Sequence, residues 1–128
     1  MQDVRAAIIP VTDFQQNCTL MWCTQTMRAV VVDPGGDLPR IRQAIAEAEV
    51  TVEKIWLTHG HIDHAGAASE LRQELGVSIE GPHRAEEFLL GHIAASGLKF
   101  GMFSARNVVP DRWLDDGDAV AVGALTFA

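Results

Sequence analysis

Three histidines and an aspartate fall within six consecutive positions, His59-Gly60-His61-Ile62-Asp63-His64, introduced by Thr58. Imidazole and carboxylate are ligands that zinc and iron take from proteins. His59 and His61 stand two apart, so on an extended segment both side chains point the same way and can chelate one ion. Asp63 and His64 lie just beyond, where the chain bends toward a helix, and can face a second ion. Two metals ~3.5–4 Å apart clamp the attacking and leaving oxygens of a hydrolysis. Only five histidines occur in 128 residues, so three of them in this stretch is not a consequence of composition. His83 and His92 are isolated and read as ordinary hydrogen-bonded or partly exposed residues.

The cluster follows the apolar run Lys54-Ile55-Trp56-Leu57, which predicts a strand that delivers it to its carboxyl end. Helix-covered sheets bind ligands outside those strand ends. Upstream, the runs Ala6–Val11, Thr19–Cys23 and Met27–Val32 predict three further strands, the last closed by Asp33-Pro34-Gly35-Gly36. Leu38, Ile41, Ile45 and Ala48 recur at helical spacing, with Asp37 as N-cap and Pro39 in the tolerant first turn. After the cluster, Ala65, Ala68, Leu71 and Leu75 predict a helix with that face inward, closed by Gly76, and its N-terminus near Ala65 adds positive potential. Val77–Glu80 predicts a strand, Gly81-Pro82 a turn, and residues 84–93 a helix with Phe88, Leu89 and His92 at helical spacing. Residues 94–110 read as loop without an assignment. Ala119–Val122 and Leu125–Phe127, about the turn Gly123-Ala124, predict a hairpin whose second strand runs out at Ala128.

The length fits one domain, and the strand–helix alternation from Ala29 to Ile79 predicts an α/β fold with a mixed sheet and covering helices. A formal charge of −7 with no basic run argues against nucleic acid. No stretch of apolar residues is long enough to span a membrane, and the N-terminus has no secretory pattern. Cys18 and Cys23 are five apart in one strand, so their side chains face opposite sides and are awkward to pair. They read as free buried thiols, which suits a reducing, cytoplasmic location.

Thr58-His59-Gly60-His61-Ile62-Asp63-His64 resembles the T-H-x-H-x-D-H signature of the metallo-β-lactamase fold superfamily. Within it, Gln16-Asn17-Cys18, Val32-Asp33-Pro34-Gly35-Gly36 and Gly66 resemble the glyoxalase II-like (hydroxyacylglutathione hydrolase-like) branch. The resemblance implies the αββα sandwich, of which residues 1–128 hold the N-terminal half as one incomplete domain. It also implies that His59 and His61 bind a first metal and that Asp63 and His64 bind a second. Zinc is implied, with iron or manganese as alternatives. The reaction implied is hydrolysis of a thioester such as an S-acylglutathione by a metal-bound hydroxide. Asp63 is the candidate catalytic residue, as a proton shuttle in single-metal relatives. Asp33 is either an orienting partner of a ligand or a turn-former before Pro34. Alternatives are a persulfide dioxygenase with one iron, a β-lactamase, and an inactive fragment that associates through an exposed sheet face.

A family site is completed by a third histidine, a bridging aspartate and a fourth histidine, none of which is present. A half-sandwich leaves one sheet face bare, which predicts self-association or a longer parent protein. With two ligands for each metal, the chain is expected to bind metal weakly.

Overall fold

The computed structural model describes residues 4–12, 16–102, 105–115 and 117–127. Ala128, where the sequence reading ends the hairpin, and the N-terminal residues 1–3 lie outside them. Strands β1 (Val4–Val11), β2 (Gln16–Cys23), β3 (Arg28–Val32), β4 (Thr51–Trp56) and β5 (Ser78–Glu80) form one sheet in that order. The first three pair antiparallel, and β4 and β5 join parallel. Short turns suffice for the antiparallel pairs, whereas each parallel pair needs a helical crossover. Helix α1 (Leu38–Ala48) supplies the first crossover, and α2 (Ile62–Ala65) with α3 (Ala68–Leu75) supplies the second.

Strand alternation sorts the side chains onto two faces. Ala29 and Val31 of β3 join Leu20, Ile55, Ile41, Leu71 and Ile79 in the larger core, beneath the helices. Val30 faces the other way and packs with Trp56 and Val122, with Val32, Leu125 and Phe127 against them. Val122 and Phe127 belong to a separate hairpin, β6 (Val120–Val122) and β7 (Leu125–Phe127). The Trp56 and Phe127 rings meet edge-on at 5.8 Å. The face expected to be bare is thus partly covered by the chain's own hairpin. Farther along that face, on edge strand β1, Val4 and Ile8 remain 48% and 65% exposed.

Strand β4 starts earlier than its apolar run suggests because a bulge interrupts the alternation. Val52 pairs with Ala29 and Lys54 with Val30, which leaves Glu53 without a partner in the β3 ladder. Val52 and Ile55, three positions apart, can therefore both enter the core under the helices. The Glu53 carboxylate accepts the Gly123 N–H at 2.7 Å, tying the bulge to the hairpin turn.

Several local expectations change in the structure. Asp37 precedes α1 but makes no side-chain cap; its backbone is left-handed (φ 52°) and Oδ2 instead accepts the Thr12 N–H at 2.7 Å. The helix after the histidine cluster begins at Ile62, inside the cluster, and breaks at Gly66-Ala67 because the Ala67 N–H turns to the Pro34 carbonyl (3.0 Å). Gly76 closes α3 with φ 67°, but Leu75 is half-exposed rather than inward. Residues 84–93 are not one helix. A 3-10 turn (Arg84–Glu86) runs into α4 (Glu87–Leu90), and the chain breaks at Gly91-His92. The stretch read as loop contains α5 (Ile93–Phe100), closed by Gly101 at φ 75°. Glycine inside a helix ordinarily weakens it. Gly97 is kept because a Cβ there would run into the Met102 carbonyl, where the chain folds back.

Candidate metal centre

The site forms at the carboxyl ends of the adjacent parallel strands β3 and β4. Asp33 leaves β3 in the left-handed region (φ 55°), a conformation that Asp and Asn tolerate better than most residues. Its N–H donates to the Trp56 carbonyl at 2.9 Å, which sets the two strand ends side by side. The carboxylate is buried at 5% exposure and is fully engaged. Oδ1 accepts the Thr58 N–H at 2.8 Å, and Oδ2 accepts the Thr58 hydroxyl at 2.5 Å and His64 Nδ1 at 3.0 Å.

Proton counting then fixes both rings. The Thr58 hydroxyl has one hydrogen and gives it to Asp33, so toward His59 Nδ1, 2.8 Å away, it acts as acceptor. His59 therefore carries its proton on Nδ1 in the neutral ring, and so does His64, which donates directly to Asp33. In both rings Nε2 is left with a lone pair, the form in which imidazole ligates a metal. Asp33 governs the tautomer of one histidine by contact and of the other through Thr58.

Two glycines allow this approach. A Cβ on Gly35 would run into the Asp63 carbonyl, and one on Gly66 would lie 2.6 Å from the Gly35 carbonyl. The loop after β3 can therefore lie directly against α2. Gly60 is held from the other side: its N–H donates to Glu86 Oε1 at 3.2 Å, and a Cβ would lie 2.9 Å from both the Glu86 carbonyl and Leu89 Cβ. Thr58 opens the motif read in the sequence, but its part as a relay does not show there, and Glu86 as a clamp carries no sequence signal, because each role depends on contacts across the fold.

Candidate donor atoms of Asp33, His59 and His64 lie within 4.8 Å of one another. The His59 and His64 ring centroids are 4.7 Å apart, whereas His59 and His61 are 6.2 Å apart. Asp63 Oδ2 lies 3.7 Å from His64 Nε2. The structure thus brings His59 to His64 more closely than to His61, its expected partner on one ion. Two nitrogens bound to one zinc at ~2.0–2.1 Å lie about 3.3 Å apart in a tetrahedron, so the side chains have to draw together around an ion. The donor chemistry fits a divalent metal: two oriented imidazoles with open Nε2 atoms, a third imidazole at His61, and the Asp63 carboxylate.

The remaining histidines and the thiols are placed elsewhere. His83 caps the 3-10 turn by accepting the Ala85 N–H and pairs with Asp115 at 2.9 Å. His92 Nδ1 bonds the Phe88 carbonyl at 2.7 Å, and its ring stacks on Phe88. Cys18 and Cys23 are free and buried. Burial first, and the nearby Asp33 charge second, push the Cys18 thiol up to about 12. Hydrogen bonding, chiefly to the Thr26 side chain, draws Cys23 down to about 7.

The profile of the metallo-beta-lactamase superfamily matches residues 11–128, and the chain belongs to that superfamily. Among its relatives, the hydroxyacylglutathione hydrolase GloC of Haemophilus influenzae is 39% identical over 121 residues, 94% of this chain and 57% of that protein. A hydroxyacylglutathione hydrolase of Salmonella paratyphi B is 35% identical over 85 residues, 66% of this chain and 34% of that protein. The crystal structure of BLEG-1 B3 metallo-beta-lactamase superposes with a TM-score of 0.80 at 26% identity, over 97% of this chain and 59% of that one. TTHA1623 in a di-iron-bound form gives 0.78 at 22% identity, over 89% and 56%. The chain spans 57% of the length of the GloC relative and 34% of the Salmonella one, and its mixed sheet with covering helices is the N-terminal half of the superfamily fold. Among the described residues no helix is long and apolar enough to cross a membrane.

Proposed function

We propose that the protein to which this chain belongs is a metal-dependent hydrolase of thioesters, with S-acylglutathiones as the substrate class. The observation that carries the metal chemistry is the Asp33 network, which engages Nδ1 of both His59 and His64 and leaves each Nε2 with its lone pair. The thioester class is supported by the 39% identity to a hydroxyacylglutathione hydrolase over nearly the whole chain.

In this reading His59, His61, Asp63 and His64 hold the metal, and Asp33 holds the rings that do so. Zinc is the proposed ion, and the same donors accept iron or manganese. A bound divalent metal supplies Lewis acidity toward the thioester carbonyl and makes water a competent nucleophile near neutral pH. Asp33 is buried with both oxygens engaged, by Thr58 and His64, and is not placed to take a reacting proton. Asp63 has that capacity: its Oδ2 lies near His64 Nε2, on the open side of the ring. We therefore assign proton transfer to Asp63 Oδ2. The Gly60 N–H bond to Glu86 keeps the loop that carries His59 and His61 in place.

Release of thiol from an S-acylglutathione by the zinc-loaded protein is the direct test. His59→Ala is expected to abolish it. Hydrolysis retained by that variant at the wild-type rate removes the metal-centred mechanism.

A further inference from the structure

A cavity of about 230 Å³ opens beside the metal centre, between the histidine loop and helices α4 and α5. His61 and Asp63 form one side, and Leu89, Ile93, Ser96 and Phe100 form the other. On α5 the positions 93, 96 and 100 are three and four apart, so one stripe of that helix faces the loop. Ile93 forms the buried end of the stripe, and Phe100, half exposed, forms the mouth. Apart from His61 and Asp63, the side chains in the wall are apolar except for the Ser96 hydroxyl.

We propose that this cavity is the subsite for the acyl chain of the substrate, and that Ser96 sets the chain length it admits. The proposal rests on the thioester reading above and extends it to substrate selection. A thioester has two arms on either side of the reacting carbonyl. The glutathione arm is a tripeptide bearing two carboxylates and an ammonium, and an apolar wall offers those charges no compensation for lost water. The acyl arm is uncharged, and where it is a hydrocarbon chain it gains from that wall. The volume falls below the ~300–1,000 Å³ of pockets that enclose a whole drug-sized ligand, so it admits a fragment of the substrate. Because His61 and Asp63 belong both to the wall and to the metal centre, a chain seated here has its carbonyl next to the donors. Ser96 is the smallest side chain in the α5 stripe and stands at its middle, so enlarging it shortens the cavity.

The test uses the full chain with a homologous series of straight-chain carboxylates, acetate to octanoate, followed by methyl NMR. Shifts are expected at Leu89, Ile93 and the adjoining Ile62, with about fourfold tighter binding for each added methylene until the cavity is full. Ser96→Phe is expected to remove that dependence on length. Leu89→Ala is expected to extend it to longer chains, a gain that a misfolded variant does not mimic. Binding that is independent of length, or shifts confined to Val4 and Ile8 on the exposed sheet face, overturns the proposal. In turnover, Ser96→Phe is expected to lower the octanoyl-to-acetyl ratio of kcat/KM for S-acylglutathiones by at least about tenfold. Length-dependent binding without hydrolysis of any S-acylglutathione removes the reaction reading while supporting the acyl site. Hydrolysis with an unchanged ratio removes the acyl site while supporting the reaction.

Discussion

Asp33 shows how much of a metal site resides in a residue that need not touch the metal. It fixes the proton of His64 directly and that of His59 through Thr58, so its loss frees both rings to rotate and to change tautomer. Asp33→Asn is the sharp variant, because Asn also tolerates the left-handed backbone at this position. Zinc affinity, measured by chelator competition, is expected to fall about 10–100-fold while the fold persists. Cys18 offers a second prediction at this scale. Its thiol is held protonated in the fold to about 12, against 9.0 for an ordinary cysteine thiol. Between those values the unfolded chain has lost a proton that the folded chain keeps, so stability falls as pH rises through that window. Below it, Cys18 contributes no pH dependence. Thermal melts from pH 8 to 11 are expected to show a smaller alkaline loss for Cys18→Ala than for the parent chain, although that variant begins less stable by ~1 kcal/mol.

At the scale of elements, the turn after β3 and the short helix α2 are built as one unit. Gly35 and Gly66 permit the contact, and the Ala67 N–H to Pro34 carbonyl bond completes it. Gly35→Ala is expected to destabilise the chain by roughly 1–3 kcal/mol or more, seen as a lower urea midpoint, because its methyl meets backbone that cannot move aside easily. The histidine cluster was legible in sequence because its spacing is local, and so were α1, α3 and the central strands, whose apolar periods are regular. Helix α5 was not, since the glycine that its contact with Met102 requires looks like a helix breaker when read alone. Nor could the pairing of His59 with Asp33 through Thr58 be read. It spans 26 positions from Asp33 to His59 and arises only when two parallel strands lie side by side. The sequence left Asp33 open between turn-former and orienting residue. The left-handed backbone and the bonded carboxylate are both present in the one residue.

Across the whole molecule, the sheet is covered on one face by helices and on the other by a small hairpin over β3 and β4. The donors sit at the rim where these layers meet. Among the described residues, the closest donor group contains two histidines and one carboxylate already committed to hydrogen bonds. This 128-residue chain is therefore expected to hold zinc below one equivalent after desalting, as measured by atomic emission. Tight stoichiometric zinc would show that His61 and Asp63 close around the ion without further ligands.

The bulge at Glu53 has a consequence for how this chain tolerates insertion and deletion. One extra residue changes the phase of β4 halfway along, so that its beginning and end each present the correct side to the helices. Deleting Glu53 leaves Val52 and Ile55 two apart, on one face of a regular strand, and keeps the pairings of Val52 with Ala29 and of Lys54 with Val30. What is lost is the carboxylate that accepts the Gly123 N–H, the tie between the strand and the hairpin turn. A one-residue deletion here is therefore absorbed without moving Thr58 and His59 from the strand end, because the bulge already holds the residue that the ladder does without.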